Sequence, residues 1–241
     1  MITNAHQSLI LQDNRVSLKP MQLSDFYHLL PFAVNEPELW KYSVIQPTGA
    51  SGMASYVQSA VAALESGSEY PFVIWDKVRQ ACIGSTRLFD INITTKCAQI
   101  GYTWYGAEYQ GKAINKHSKY LLLAWAFEEM GFERIECRVD RENEKSIRSL
   151  TSIGYKKDGI LRSNGLRPDG SRRDSIVFSI LKSEWFLEIK NRLQILISNA
   201  TFLEHYINLS AQPTESLCSL ETFISLPPES STSLESYQEI L

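Results

Sequence analysis

The chain has 241 residues, of which 44% are hydrophobic and 21% charged, a composition typical of a folded globular protein. The formal net charge is −3, which does not favour a nucleic-acid binder. No apolar run reaches the roughly 18 residues that a membrane span requires, and the first residues do not have the pattern of a secretory signal. Cys82, Cys97, Cys137 and Cys218 show no zinc-ligand spacing, so we expect reduced thiols in a cytoplasmic protein and no metal site.

Charge is unevenly distributed along the chain. Arg192 is the last basic residue, and six acidic residues follow it. Residues 1–192 therefore carry 24 basic and 21 acidic groups, a net charge of +3, whereas residues 193–241 carry −6. We predict a folded domain over residues 1–192. Residues 193–241 are predicted to be an acidic, Ser-rich extension, helical at its start and then disordered, with a role in binding a protein partner left open.

In chain order, the first half alternates helix and strand signals. A strand in NRVSLKPMQ precedes a helix that we expect to begin near Ser24, a good N-cap residue. An Ala-rich helix follows and ends near Gly67. Three β-rich runs then predict an antiparallel meander: YPFVIWDKV, QACIGSTRLFDIN and CAQIGYTWYG.

The second half begins with YQGKAINKHSKYLLLAWAFEEMGF, a short turn that leads into a helix of about four turns ending at Gly131. A strand in FERIECRVD and a short helix closed by Gly154 follow. Two strands around a Pro-Asp-Gly turn and a terminal helix complete the pattern. This order predicts an α+β fold with a mixed, mostly antiparallel central sheet flanked by helices.

The turn from Gln110 to Asn115 is a candidate anion site. The first turn of a helix leaves N–H groups unpaired, and the helix dipole adds partial positive charge there. Lys112, Lys116 and Lys119 would add positive potential. An ordinary strand–helix connection with solvated lysines explains the same residues. The glycine pattern of a nucleotide P-loop is absent.

Residues 15–190 resemble the GCN5-related N-acetyltransferase (GNAT) family, and more closely its ribosomal-protein N-terminal acetyltransferase (RimJ/RimL-like) branch. The resemblance is carried by GYTWYGAEYQGKAIN, by the following helix, and by Asn143 and Ser146 in ERIECRVDRENEKSIRSLTSIGY. It implies the GNAT acyl-CoA N-acyltransferase fold and acetyl-CoA as cosubstrate. The implied reaction is direct attack of a primary amine, either a protein N-terminus or a small-molecule amine, in a ternary complex. The implied protein is a monomer or homodimer with no nucleic-acid or membrane partner.

The resemblance also implies roles for individual residues. The turn would hold the pyrophosphate of acetyl-CoA through backbone amides, and the strand Gln99–Tyr105 would splay from its neighbour to receive the pantetheine arm. Trp104 and Tyr105 would lie where donor and acceptor meet, and Ser146 would be the general acid for the leaving thiolate. The implied cofactor-binding residues are Thr103, Gln110, Gly111, Lys112, Ala113, Ile114, Asn115 and Asn143.

The positions that depart from the family pattern include Ala113, which replaces a glycine, and Asn115, which replaces a small residue, as is common in this branch. Gln99 replaces a common glutamate, and Leu150 stands where many relatives have a tyrosine. If Ala113 needs a positive φ, it costs about 1 kcal/mol relative to glycine; if φ is negative, only a methyl group is added. Gln99 removes a candidate base. We expect Tyr155, five residues beyond Leu150, to pack in the core.

Simpler roles for the same residues stay open. Trp104 and Tyr105 are equally suited to core packing, and Asn143 to capping a helix. The arginines of the last hairpin predict either a patch for an acidic substrate or, in our preferred interpretation, a solvated surface; they are Arg162, Arg167, Arg172 and Arg173. Besides a transferase, the sequence allows a catalytically weak CoA-binding or regulatory module that uses the tail for a partner, and a plain interaction domain.

Overall fold

The computed structural model describes residues 9–210, with side chains described up to Ala200 and at Phe202. The described residues up to Thr201 belong to one compact unit, and those from Phe202 to a second. The helix that begins the predicted extension continues to Ser210. Cys218 and the predicted disordered part of the extension lie outside the described residues, so the domain boundary after residue 192 stays a prediction.

The described chain contains one eight-stranded sheet. Its strands are β1 Leu11–Gln12, β2 Val16–Pro20, β3 Tyr70–Asp76, β4 Ala81–Asn92, β5 Cys97–Tyr105, β6 Arg134–Asp140, β7 Lys156–Leu166 and β8 Arg172–Leu181. Their order across the sheet is β1-β2-β3-β4-β5-β6-β8-β7. Neighbouring strands are antiparallel except for the parallel pair β5 and β6, which confirms the predicted α+β fold with a mixed, mostly antiparallel sheet.

The helices are α1 Phe26–Asn35, α2 Gly49–Glu65, α3 Ile114–Ala124, α4 Glu144–Ile153, α5 Lys182–Glu184 and α6 Lys190–Ser210. Single π-helical turns extend α3 and join α5 to α6, at Trp125–Glu129 and Trp185–Ile189. None of the described helices is long and apolar enough to cross a membrane.

The predicted capping role of Ser24 is wrong. Ser24 lies inside a 3₁₀ turn, Leu23–Asp25, that precedes α1. The carboxylate of Asp25 accepts a hydrogen bond from the backbone N–H of Gln22 at 2.8 Å. The chain therefore enters α1 through a tighter turn, which places the capping residues two positions earlier.

Strands β5 and β6 diverge, as predicted. They pair from Cys97 with Arg134 to Gln99 with Glu136 and no further, although β5 continues to pair with β4 as far as Tyr105. Strand β6 pairs with β8 along its whole length. We call the gap that opens beyond the last pair, Gln99 and Glu136, the notch; the backbone groups of β5 that face it have no strand partner.

A β-bulge bends β5 beside the notch. Tyr102 and Thr103 together oppose Thr86 on β4, and Tyr102 has a φ of +51°. A bulge inserts one extra residue, bends the strand and increases its twist. The bulge lies beyond the last β5–β6 pair, on the stretch of β5 that borders the notch.

The sheet separates two apolar clusters. On one face the core contains side chains from α3, α4 and the turn at Trp185; on the other it contains side chains from α1 and α2 with Trp40. Tyr105 belongs to the first cluster and Trp104 to the second. Successive residues of a strand point to opposite faces, so these two neighbours are directed apart.

Candidate active site

The turn between β5 and α3 presents a row of free backbone amides. Gly111 has a φ of +76°, and Ala113 is right-handed helical with φ −60° and ψ −17°. Within residues 9–210, the amides from Gly111 to Asn115 find no acceptor; the next amide, that of Lys116, donates to the Ala113 carbonyl at 2.8 Å. A row of free donors at a helix N-terminus is suited to binding an anion, which is the role predicted for this turn.

Side chains brace this turn from behind. Gln110 Nε2 donates to the Tyr105 carbonyl at 2.9 Å, and Lys145 Nζ donates to Gln110 Oε1 at 2.6 Å. Asn115 accepts from the Tyr105 hydroxyl at 3.3 Å and donates to Ser149 Oγ at 2.7 Å. Gln110 and Asn115 therefore tie the turn to β5 and α4, while its amides stay available. An added Cβ at Gly111 would have nothing within 4 Å, so this side of the turn is open.

The three lysines of the turn and helix have different environments. Lys112 is exposed, with its ammonium 5.7 Å from the Tyr109 ring centre, and Lys116 is half-buried. Lys119 is only 4% exposed, and its Nζ donates to Thr103 Oγ1 at 3.4 Å. The alternative of solvated lysines is therefore wrong for Lys119. Helical periodicity could have predicted the burial of Lys119, because Lys119 precedes the buried Leu123 by four residues and lies on the same helix face.

Thr103 lies at the bulge of β5. Its Oγ1 is 2.8 Å from Thr86 Oγ1 and 3.3 Å from the Gly101 carbonyl, besides the contact with Lys119. These contacts fix the Thr103 side chain on the sheet face covered by α3. Thr103 is therefore the predicted cofactor residue that links the notch to the buried lysine.

Trp104 and Tyr105 are both core aromatics. The Trp104 ring centre lies 4.9 Å from that of Trp40 and 5.4 Å from that of Phe32, and its buried Nε1 has no hydrogen-bond partner. Tyr105 is 8% exposed, and burial raises the pKa of its hydroxyl well above the ordinary value. Core packing therefore describes the contacts of both residues, and their role at a donor–acceptor junction stays a prediction.

The start of α4 borders the site. Asn143 Oδ1 accepts from the backbone N–H of Ser146 at 3.0 Å, which confirms Asn143 as the helix N-cap. The half-buried Ser146 hydroxyl has no hydrogen-bond partner among the described groups. Leu150 and Tyr155 are buried in the core, as expected for Tyr155, and the Tyr155 hydroxyl lies beside the Cys137 thiol.

A buried carboxylate supports this end of β6. Asp140 accepts from Arg167 Nε at 2.8 Å and Nη2 at 3.0 Å. Burial opposes the ionisation of Asp140, but the hydrogen bonds from Arg167 and the Glu142 amide outweigh it and lower its pKa. Arg173 is buried and donates to the Tyr42 carbonyl at 3.3 Å. The preferred interpretation of a solvated hairpin was therefore wrong for Arg167 and Arg173.

Charged side chains meet at the closed end of the notch. Gln99 Nε2 donates to Asp90 Oδ2 at 2.6 Å, and Glu136 binds Arg134 at 3.0 Å and Arg138 at 2.7 Å. These residues line a polar pocket of about 190 Å³. Gln99 serves here as a donor to a carboxylate, and its amide cannot take a proton from a substrate amine. Among the described residues, no group of three or more acidic, histidine or cysteine side chains is placed to bind a metal.

The chain is similar to known acetyltransferases. A family model described as "Acetyltransferase (GNAT) domain" matches residues 15–156. The relative named "Uncharacterized N-acetyltransferase p20", from Bacillus licheniformis, is 30% identical over 176 residues, which cover 73% of this chain and 97% of the relative.

Solved structures show the same fold. RimJ from Mycobacterium smegmatis, in complex with CoA-disulfide, superposes with a TM-score of 0.67 at 22% identity, covering 75% of this chain and 89% of RimJ. The ribosomal-protein-S5-alanine acetyltransferase from Vibrio fischeri superposes with a TM-score of 0.63 at 21% identity, covering 73% and 98% of the two chains. The family model and the sequence relative together establish that this chain belongs to the GNAT family and is an N-acetyltransferase.

Proposed function

We propose that this chain transfers the acetyl group of acetyl-CoA to a primary amine, on a protein N-terminus or a small molecule, by direct attack in a ternary complex. The observation that supports this most is the row of unpaired amides from Gly111 to Asn115 beside the notch. In this proposal the amides bind the pyrophosphate of acetyl-CoA, with Lys112 adding positive potential. The pantetheine arm pairs with the free edge of β5 as an added strand. The M. smegmatis RimJ complex supports CoA as the ligand of such a site.

The backbone angle of Ala113 supports efficient binding. At φ −60° an alanine is unstrained, so its difference from glycine is a single methyl group. The amide of Ala113 is among the five unpaired donors of the turn. This removes one argument for a CoA-binding module without catalysis.

Positioning supplies most of the proposed rate acceleration. Bringing amine and thioester together in one complex contributes about 7–11 kcal/mol in favourable cases. A backbone N–H of β5 that faces the notch polarises the thioester carbonyl. Asn143 and Thr103 border the donor arm, and the Ser146 hydroxyl hydrogen-bonds to the sulfur. Trp104 and Tyr105 hold the end of β5 beside the reacting carbon by packing on opposite faces of the sheet.

The acceptor must be a neutral amine when it attacks. An α-amine with a pKa of about 7.7–8.0 is neutral in roughly one molecule in ten at pH 7, whereas a lysine amine with a pKa of about 10.4 is neutral in roughly one in several thousand. Gln99 offers no base to narrow this difference. We therefore expect α-amines or small amines of similar pKa as acceptors, in preference to protein lysines. The V. fischeri protein is named as an acetyltransferase for an alanine of ribosomal protein S5, which supports a protein acceptor for a chain of this fold.

The test has two stages. Calorimetric titration with acetyl-CoA and CoA measures binding first, and release of the CoA thiol with a panel of amines measures turnover. The panel contains one lysine-bearing peptide with a free N-terminus, the same peptide acetylated at its N-terminus, and small amines. We expect CoA binding, and faster turnover with the free N-terminus than with the blocked peptide. Absence of CoA binding refutes the proposal, whereas binding without turnover on any amine supports a non-catalytic module.

A further inference from the structure

Lys119 is an unusual cation within the described structure. It is 4% exposed, and no described carboxylate lies within 4.0 Å of its ammonium group. Its one hydrogen bond runs to Thr103 Oγ1, at the long distance of 3.4 Å. A buried lysine without a counter-charge is costly, and such residues are usually paired or functional.

The position of Lys119 relates it to the notch. Lys119 lies five residues into α3, about 7.5 Å along the helix from Ile114. Thr103 lies two residues before the end of β5, about 7 Å along the strand from Tyr105. The Lys119 ammonium contacts β5 at the bulge, on the stretch of strand that borders the notch.

Strand β6 provides the other side of this environment. Cys137 directly follows the last β5–β6 pair, Gln99 and Glu136, and is buried. Burial raises the pKa of the Cys137 thiol, and the charge of Lys119 opposes that rise. Burial likewise lowers the pKa of Lys119, and the Tyr155 hydroxyl lies beside the Cys137 thiol in the same core cluster. The nearby carboxylate of Glu136 acts on Cys137 but is paired with Arg134 and Arg138, and it forms no ion pair with Lys119. A ligand anion in the notch is therefore the natural partner of the Lys119 ammonium.

We propose that Lys119 is a catalytic residue whose ammonium stabilises, and then protonates, the thiolate that leaves from acetyl-CoA. This inference rests on the proposed function, because it requires the pantetheine arm to lie in the notch. The charge that develops during acetyl transfer is on sulfur, and a fixed cation in a dry site stabilises such charge strongly. Neutral Ser146 donates a hydrogen bond to the sulfur but has no positive charge to offer.

The proposed step balances as follows. The amine nitrogen forms a bond to the thioester carbon, the C–S bond breaks, and its electron pair remains on sulfur. Sulfur takes a proton from Lys119 Nζ, which leaves a neutral lysine and CoA as the free thiol. The amide product loses its extra proton to water, and Lys119 regains one from water. An ammonium with a lowered pKa suits this exchange, since efficient proton transfer requires a pKa near the working pH.

The test titrates the thiol of enzyme-bound CoA, without any need for turnover. Thiolate absorbance in the ultraviolet is followed against pH, as a difference from the unliganded protein. Wild type is compared with K119M, which removes the charge but keeps an unbranched apolar chain, and with K119R, which keeps the charge. K157M removes an exposed lysine of β7 and is the matched control. Calorimetry on each variant reports CoA binding separately.

We expect the bound thiol of wild type, K119R and K157M to titrate about one pH unit or more below that of K119M, because a cation within about 4–6 Å favours the thiolate. With acetyl-CoA, K119M should lose about tenfold or more in kcat with a smaller change in KM. Equal pKa values for the bound thiol in wild type and K119M overturn the role of Lys119. The proposed function is tested separately, because it requires only that the protein binds CoA and turns over acetyl-CoA. If K119M fails to fold or to bind CoA, the wild-type protein alone provides the test. A bound thiol with a pKa equal to or above that of free CoA overturns the inference, and a lower pKa supports it.

Discussion

Replacing Gly111 by alanine tests whether the turn before α3 acts through its backbone. Gly111 has a φ of +76°, and a Cβ added there would have no neighbour within 4 Å. The cost of G111A is therefore conformational and not steric, about 1–2 kcal/mol for an alanine in the left-handed region. If the free turn keeps its shape, this cost lowers the free energy of unfolding. If the free turn relaxes, the cost appears in CoA binding as a rise in Kd of about fivefold to thirtyfold.

The matched variant is A113G, two residues later. Ala113 has φ −60°, so glycine gains nothing from its wider conformational range there and removes only a methyl group. We expect the Kd of CoA to change by less than about threefold. Both variants are measured by CoA calorimetry and by chemical unfolding. The reasoning fails if G111A changes neither quantity, or if A113G tightens CoA binding by about tenfold or more.

Two further predictions concern residues around the site. N143A removes the cap of α4 and should lower the free energy of unfolding by about 1 kcal/mol in a urea titration. N143D keeps an acceptor for the Ser146 backbone amide and should restore stability. If N143D restores stability but not CoA affinity, the ligand needs the side-chain amide of Asn143. Burial opposes the ionisation of Asp13, but hydrogen bonds from His117 and two backbone amides outweigh it and lower the Asp13 pKa. The ionised carboxylate therefore stabilises the fold above the unfolded-state pKa of about 3.9, and this stabilisation is lost as the pH falls through the folded-state pKa. In thermal unfolding, D13N should therefore be less stable than wild type at neutral pH and converge with it in acid, unlike E38Q at an exposed position; a pH-independent difference would contradict this.

The sequence predicts the order of elements well because turn residues mark most of the boundaries. Gly131 and Gly154 end helices with positive φ, as their positions after apolar periodic runs suggest. The two faces of β5 are harder to predict. Ile100 belongs to the core under α3 and Trp104 to the core under α1 and α2, although strict alternation places residues four apart on one face. The bulge at Tyr102 and Thr103 shifts the alternation, and no local sequence signal announces it.

Some side-chain environments at the site could be predicted from the sequence, and others could not. The capping role of Asn143 follows from its position just before a helical run and is confirmed. The burial of Lys119 was accessible from helical periodicity but conflicts with the usual exposure of lysine. The pairing of Arg167 and Arg173 with Asp140 and Tyr42 joins residues that are distant in sequence, so only the folded chain reveals it.

In the proposed function, backbone geometry forms the acetyl-CoA side of the site and side chains form the acceptor side. This difference explains why the family is easier to identify from the sequence than the acceptor. The proposed donor contacts are backbone amides of a turn and a free strand edge, which depend on turn length, on one positive φ at Gly111 and on the bulge. Many side chains are compatible with such a framework, so we expect Ala113 to be tolerated. Arg173 of β8 contacts the segment between α1 and α2 at Tyr42, and we propose that side chains of α1, α2 and the β7–β8 hairpin recognise the acceptor. Changes of acceptor specificity should therefore arise from substitutions in these elements, without loss of CoA binding.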